Sequence, residues 1–309
     1  MRRSLQLIGA HVRRPLALAF VGAISLAAAC TGDVGPTGPA GTPGTPGAPG
    51  GTGTAGTPGA TGATGSTGRS IFGIDGTNAL VVFSSTRPEI ITRRVTLTGL
   101  SAGEQVLGID FRPVDGRLYA IGSTSRIYTV DTLSGAATAV GAAFTPALTG
   151  TALGFGFNPV VDRIRVHTDA TQDLRIVPTT GAVAFVDGAL AYKAGDAGFG
   201  TVPQIGGTAY TNSIAGATST ELYAIDAARD MMVELTNPND GQLTTVGPLG
   251  INTDTNIGFD IGAGEAFATL TAVGFTGSVL YRMNLDTGRA TIVGAVGGAA
   301  VLRSIAVGP

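Results

Sequence analysis

From residue 71 to residue 309 the chain is rich in glycine and β-branched residues, and its apolar positions fall in short runs broken by turn-forming residues. No long stretch places apolar residues at the 3.6-residue period of an amphipathic helix, so the pattern predicts strands and an all-β fold. The runs are themselves repeated. A glycine-bearing apolar strand recurs as VLGIDFRP from Val106, ALGFGFNP from Ala152, IGGTAYTN from Ile205, IGFDIGAG from Ile257 and LRSIAVGP from Leu302. A second strand of alternating aromatic and aliphatic residues follows, then a third ending in a turn such as TLSG or LDTG. A short threonine and valine strand such as AATAVG or RATIVG completes the unit. The spacing of about 46 to 53 residues is that of one four-stranded propeller blade.

The last copy supplies only a first strand. The strands it lacks lie at the other end of the repeat region, as SIFGIDGT, ALVVFSST and ITRRVTLTGL. The expected fold is therefore a five-bladed β-propeller of four antiparallel strands per blade, its ring closed by N- and C-terminal strands that share one blade. The blade beginning at Ile205 is irregular, with an insertion from Asn212 to Thr220.

Ahead of this head, residues 1–29 carry Arg2, Arg3, Arg13 and Arg14 before an apolar run from Leu16 to Ala29 that ends in small side chains. The arrangement reads as an export signal, too short to span a membrane comfortably. Ser25 to Cys30 resembles a bacterial lipoprotein cleavage site, although Leu26 lies four residues before the cysteine where the usual pattern has three. The resemblance implies lipidation of Cys30 and attachment to a membrane; ordinary cleavage near Ala29, leaving a free thiol, is the alternative. Arg13 and Arg14 faintly resemble a twin-arginine signal. With Thr31 rather than aspartate after the cysteine, the lipoprotein pattern implies the outer membrane or cell surface.

Residues 30–70 form the second region. Glycine occupies every third position from Gly32 to Gly68 through twelve triplets, the collagen pattern. The tract resembles bacterial collagen-like proteins. Two readings stay open: a triple helix that makes the protein a homotrimer, or an extended glycine, threonine and proline linker. Either spaces the head from the membrane, by up to roughly 100 Å at about 3 Å per residue.

Charge and composition narrow the chemistry. Removal of residues 1–29 leaves 15 basic and 21 acidic residues, a net charge of −6, with Lys193 the only lysine. That argues against nucleic acid as a partner. Cys30 is the sole cysteine, so no intrachain disulfide forms. His167 is the only histidine beyond the signal, which excludes histidine-rich and cysteine-based zinc sites. The chain has no tryptophan, the usual platform of sugar-processing clefts. An enzyme is thus the less favoured expectation, with a glycoside hydrolase-like surface hydrolase as its concrete form.

The head as a whole resembles an uncharacterised family of secreted bacterial propeller-like domains. The phrases carrying the likeness are GRLYAIGSTSRIYTVDTLSGAATAVG, FNPVVDRIRV, AYTNSIAGATSTELYAID and DGQLTTVGPLG. The resemblance implies fold and secretion, and no activity.

Five blades in equivalent environments make the repeat its own control. The second-strand aromatic is Phe72, Tyr119, Tyr223 and Phe267, against Arg165 in the third blade. Two residues on, Ile74, Ile121, Ile225 and Thr269 face His167. In the third strand, Val81, Tyr128, Val233 and Tyr281 are set against Arg175. Arg165, His167 and Arg175, with Asp162, Asp169 and Asp173 near in sequence, predict a basic cluster with three open readings. It is an internal salt-bridge network linking blades two and three, an anion or carboxylate ligand site, or a solvated patch. Asp110 and Asp260 stand where sibling first strands have Gly156, Ala209 and Ala306. They either bind a cation such as calcium in the central channel or pair with neighbouring amides or arginines; no other cofactor is expected. Asp131 and Asp286 are expected to cap the turns TLSG and LDTG. The functional expectation is an exported, envelope-anchored binding module for an unknown protein or small anionic ligand. The surface hydrolase and a purely structural envelope protein are its alternatives.

Overall fold

The computed structural model describes residues 37–39, 41–42 and 68–309. The export signal, Cys30 and most of the glycine-repeat tract lie outside the described residues. Residues 37–39 and 41–42 are exposed and carry no regular secondary structure.

Blade one contains β1 (Ser70–Asp75), β2 (Ala79–Ser84) and β3 (Arg87–Thr96). Blade two is β4 (Val106–Phe111), β5 (Leu118–Gly122), β6 (Arg126–Val130) and β7 (Ala137–Val140). Blade three is β8 (Leu153–Asn158), β9 (Arg163–Thr168), β10 (Asp173–Ile176) and β11 (Val183–Val186). Blade four comprises the short β12 (Ala191–Tyr192) and then β13 (Ile205–Tyr210), β14 (Leu222–Asp226), β15 (Met231–Asn237) and β16 (Gln242–Pro248). Blade five is β17 (Thr253–Gly262), β18 (Glu265–Ala272), β19 (Val279–Met283) and β20 (Ala290–Ala295). The final strand, β21 (Leu302–Val307), pairs antiparallel with β1 and becomes the inner strand of blade one. The five-bladed propeller expected from the repeats, with its shared closing blade, is the fold observed.

The inner strands β21, β4, β8, β13 and β17 pack against one another in that order, and β17 meets β21 to complete the ring. Their close approach explains the glycine in each repeat phrase. Gly108, Gly154, Gly207 and Gly258 occupy one register position, opposite Ile121, His167, Ile225 and Thr269. A Cβ at Gly154 would lie 2.5 Å from the Thr208 backbone nitrogen, and one at Gly258 2.7 Å from that of Ile305. In blade one the position is Ser304, whose Oγ accepts the Ile109 N–H at 3.1 Å.

The core lies between blades. One apolar cluster joins blades one and two around Ile74, Ile109 and Tyr128, and another joins two and three around Ile121, Phe155 and Phe157. A third joins four and five around Ile225, Phe259 and Leu270; a fourth joins five and one around Phe83, Phe267 and Ile305. Among the described residues the interface of blades three and four has no such shared cluster. The remaining one holds blade four residues together with Leu190 and Tyr192 of the segment that leads into it. There β12 pairs in parallel with the edge of β16, and the Tyr192 hydroxyl donates to buried Asp226 at 2.5 Å.

Candidate functional site

The third-blade arginines and histidine sit at the interface without an apolar cluster. Arg165 pairs with Gly156 just as Tyr119 pairs with Asp110 and Phe267 with Asp260, so the second-strand comparison holds in register. The third-strand comparison does not. The residue equivalent to Tyr128, Val233 and Tyr281 is Leu174, which pairs with Val166 and is fully buried. Arg175 is one residue further on, beside Arg165 and equivalent to Thr129, Glu234 and Arg282. A one-residue shift moves a side chain to the other face of a sheet, so Arg175 is no departure from the repeat.

The buried Arg165 guanidinium is engaged at all three nitrogens. Nη1 donates to Asp173 Oδ1 at 2.8 Å and Asp187 Oδ2 at 2.7 Å, Nη2 to Asn239 Oδ1 at 2.8 Å, and Nε to the Tyr210 hydroxyl at 3.2 Å. Arg175 reaches the same Asp187 through Nε and Nη2, at 2.7 and 2.8 Å, and stacks on the Phe185 ring. Tyr210 and Asn239 belong to blade four, so this network joins blades three and four rather than two and three. Asp162 is not part of it. Asp162 instead takes Arg112 Nε and Nη2 at 2.8 and 2.5 Å, and that bidentate pair links blades two and three. Asp169 accepts the Thr151 amide and hydroxyl.

His167 is fully buried. The Thr208 hydroxyl donates to the Tyr223 carbonyl at 3.1 Å and therefore accepts from His167 Nδ1, also at 3.1 Å. Nε2 then faces Asp173 Oδ2 at 3.5 Å, and neither atom has another hydrogen-bond partner among the described residues. Burial works to raise the Asp173 carboxyl, but His167 and Arg165 outweigh it and hold the group below the usual carboxylate range. Charge compensation here is internal: the arginines are spent on aspartates.

The channel carboxylates are placed differently. Asp110 Oδ2 accepts the Phe157 N–H of the next inner strand at 2.8 Å. Asp260 accepts Ile261 N–H through Oδ1 at 2.7 Å and Val307 N–H of the next inner strand through Oδ2 at 2.6 Å. Each therefore staples one blade to its neighbour. Both also line a 280 Å³ cavity at the C-terminal ends of the inner strands, with Arg112 and, from the insertion, Ser213 to Ala215. Burial, and then the charge of Asp260, push the Asp110 carboxyl well above its ordinary range. Burial pushes Asp260 up to about 6, against the two amides that favour its ionised form. Among the described residues no three His, Cys, Asp or Glu side chains gather into a metal-holding group, so the protein offers a cation two carboxylates of the six to eight oxygens calcium takes.

The other end of the channel holds a second cavity, of 410 Å³, lined by Gln105, Leu107, Leu153, Thr255, Asn256 and Arg303 among others. Arg303 follows Leu302 on β21, at the position occupied by Leu107, Leu153, Gly206 and Ile257 in the other inner strands. Sequence comparison missed it, although LRSIAVGP aligned with VLGIDFRP and ALGFGFNP displays the substitution directly. The turn aspartates divide: Asp131 Oδ1 accepts the Leu133 and Ser134 amides, whereas in LDTG the capping oxygen belongs to Asn284, which accepts from Asp286 and Thr287.

Several solved structures resemble the chain at low identity. Hydrazine synthase of Kuenenia stuttgartiensis matches with 11% identity and a TM-score of 0.38, covering 64% of this chain, which spans 52% of that one. A chain of the nidogen/laminin complex matches with 11% identity and a TM-score of 0.41 over 78% of this chain and 99% of its own. A Bacteroides thetaiotaomicron protein of unknown function gives 15%, 0.43, 76% and 62% for the same quantities. Among curated proteins nothing matches. A family model matches residues 79–306, nearly the whole propeller, and the chain belongs to that family, the domain of unknown function DUF4394.

Proposed function

We propose that this protein is an exported, envelope-anchored binding module. Residues 1–29 direct export, a lipid on Cys30 holds the chain to the outer membrane, and the Gly-X-Y tract spaces the propeller from it. The propeller takes its ligand in the channel. The observation that carries this reading is the 410 Å³ cavity at the starts of the inner strands. The chain enters the head at the opposite end, where Ser70 lies beside Gly308 and its carbonyl accepts the Gly308 N–H at 2.8 Å. The 410 Å³ cavity is thus at the channel mouth remote from the point where the chain enters the head. Cavities of this size suit a small ligand, and the lining mixes apolar floor and hydrogen-bonding groups as such sites do.

The test is thermal unfolding of the full chain in detergent with calcium, a chelator, and panels of anionic and neutral saccharide ligands. A ligand at a hundred times its dissociation constant adds about 2.7 kcal/mol, a shift of several degrees. If no small ligand shifts the midpoint, and crosslinking in intact cells captures no partner at the cavity rim, the binding reading fails and a structural role stands.

A surface hydrolase is the second reading, favoured by one observation: Asp110 and Asp260 line one cavity with raised carboxyl groups, the arrangement that acid–base chemistry uses. Turnover on a glycoside panel that survives intact in the doubly substituted Asp110→Asn, Asp260→Asn protein would rule the pair out as its source.

A further inference from the structure

Resting on the binding-module reading, we infer that the channel mouth remote from the chain entry recognises a hydroxylated organic acid of the uronic acid class, with Arg303 taking the carboxylate. Four of the five inner strands place leucine, isoleucine or glycine where β21 places Arg303. A cation at a ring position that packs well with apolar residues takes its balancing charge from a side chain, from solvent or from a ligand, and Arg303 is only half-buried. At the blade three interface Arg165 and Arg175 have theirs in Asp173 and Asp187. Arg303 has none: among the described residues it makes no ion pair, and its one hydrogen bond, from Nη1 to Gln105 Oε1 at 3.1 Å, leaves the rest of a five-donor fork free. The cavity lining contains no carboxylate.

The rest of the lining specifies the ligand class. One guanidinium among neutral side chains balances a single negative charge and matches the planar, two-oxygen geometry of a carboxylate. A phosphate dianion calls for a second cation, and Arg303 is the only charged residue lining the cavity. Thr255, the Asn256 amide oxygen and Gln105 form a polar rim suited to ligand hydroxyls, Thr151 and the Asn256 amide nitrogen being held by the carboxylates of Asp169 and Asp254 behind the rim, while Leu107, Leu148 and Leu153 supply an apolar floor for carbon-bound faces. The 410 Å³ volume accommodates one or two sugar rings.

Isothermal titration of the full chain with sodium glucuronate, glucose and inorganic phosphate tests the assignment. Glucuronate should bind at least tenfold more tightly than either of the others. Arg303→Leu, which restores the residue of the sibling strands, should unfold no more easily than the parent and lose that tenfold preference; Arg303→Lys should retain part of it. Glucuronate binding unchanged in Arg303→Leu, tighter binding of phosphate, or no binding of glucuronate by the parent chain overturns the inference. Thr151→Trp, which obstructs the rim, separates the two levels of the claim. If it abolishes glucuronate and glucose binding that Arg303→Leu leaves equal, the cavity binds sugars and the role of Arg303 fails; if it changes neither, the cavity reading fails with it.

Discussion

Replacing Asp110 with asparagine should stabilise the propeller at neutral pH, because burial disfavours the ionised form of both Asp110 and Asp260 and raises both carboxyl groups. Asp260 rises from the ordinary 3.8 to about 6, roughly two units at about 1.4 kcal/mol each, so ionising it inside the fold costs about 3 kcal/mol. Burial first, and then the charge of Asp260, push Asp110 the same way, well above its ordinary range. The sign follows from proton counting: between about pH 4 and pH 6 the folded state binds more protons than the unfolded chain, so stability falls as pH rises through that window. An asparagine at 110 keeps the carbonyl that accepts the Phe157 N–H and removes the charge. Asp260 is the poorer position to alter, since both its oxygens accept backbone amides and an asparagine satisfies only one. Asp110→Asn is expected to raise the unfolding midpoint at pH 7.5, with the gain shrinking to nothing by pH 4. Thermal unfolding of parent and variant at both pH values measures it. A variant no more stable than the parent at pH 7.5, or a difference that persists unchanged at pH 4, refutes the idea that the pair is under electrostatic stress.

Other substitutions test other parts of the ring. Arg165→Leu should cost about 3–5 kcal/mol in urea unfolding, because it strands Asp173 against His167 in a site that excludes water; a neutral effect would mean that the network is not holding blades three and four together. Asp173, held low, contributes stability above the usual carboxylate pKa that is lost as pH falls below about 4, whereas the channel pair works in the opposite sense up to about 6. Parent stability should therefore peak in mildly acid solution, and a monotonic rise from pH 4 to pH 8 would contradict the assignment of the channel carboxylates. Gly154→Ala should destabilise by about 2 kcal/mol or more, since its Cβ would meet the Thr208 main chain and no flexible side chain can yield there; circular dichroism melts of that variant would reveal it.

The ring was legible in sequence because the repeat is carried by inner strands whose glycine is fixed by blade-to-blade contact. The same contact sets the register that aligns Asp110, Gly156, Ala209, Asp260 and Ala306. Phase was lost in the third strand of blade three. There β10 is only four residues long; Leu174 and Ile176, both fully buried, alternate with Asp173 and Arg175 and mark the core face, and the comparison with Tyr128 set Arg175 one residue out of that alternation. The partners of Arg165 were out of reach for a different reason: Asp187 and Asn239 lie 22 and 74 residues away and meet it only through the sheet and the neighbouring blade. Asp162 looked like a partner because it is close in sequence, yet the turn before β9 directs it to Arg112, 50 residues earlier. Local spacing cannot choose between two arginines.

Where a departure from the repeat sits within its blade decides what it can do. A charge on a second strand, such as Arg165 or His167, faces the neighbouring blade, is closed off from solvent, and must find its partners in the protein; both residues are buried and bonded across the interface. A charge on an inner strand borders the channel, so its surroundings are completed by whatever occupies that space. Asp110, Asp260 and Arg303 are inner-strand residues that break their ring positions with a charge, and each lines a cavity; Asp254, also on β17, is spent on Asn256. Asp110 and Asp260 stand at one end and Arg303 at the other, so the two mouths of the channel offer different side chains. Under the proposed reading, an anion at the far mouth would meet Arg303 there without approaching Asp110 and Asp260.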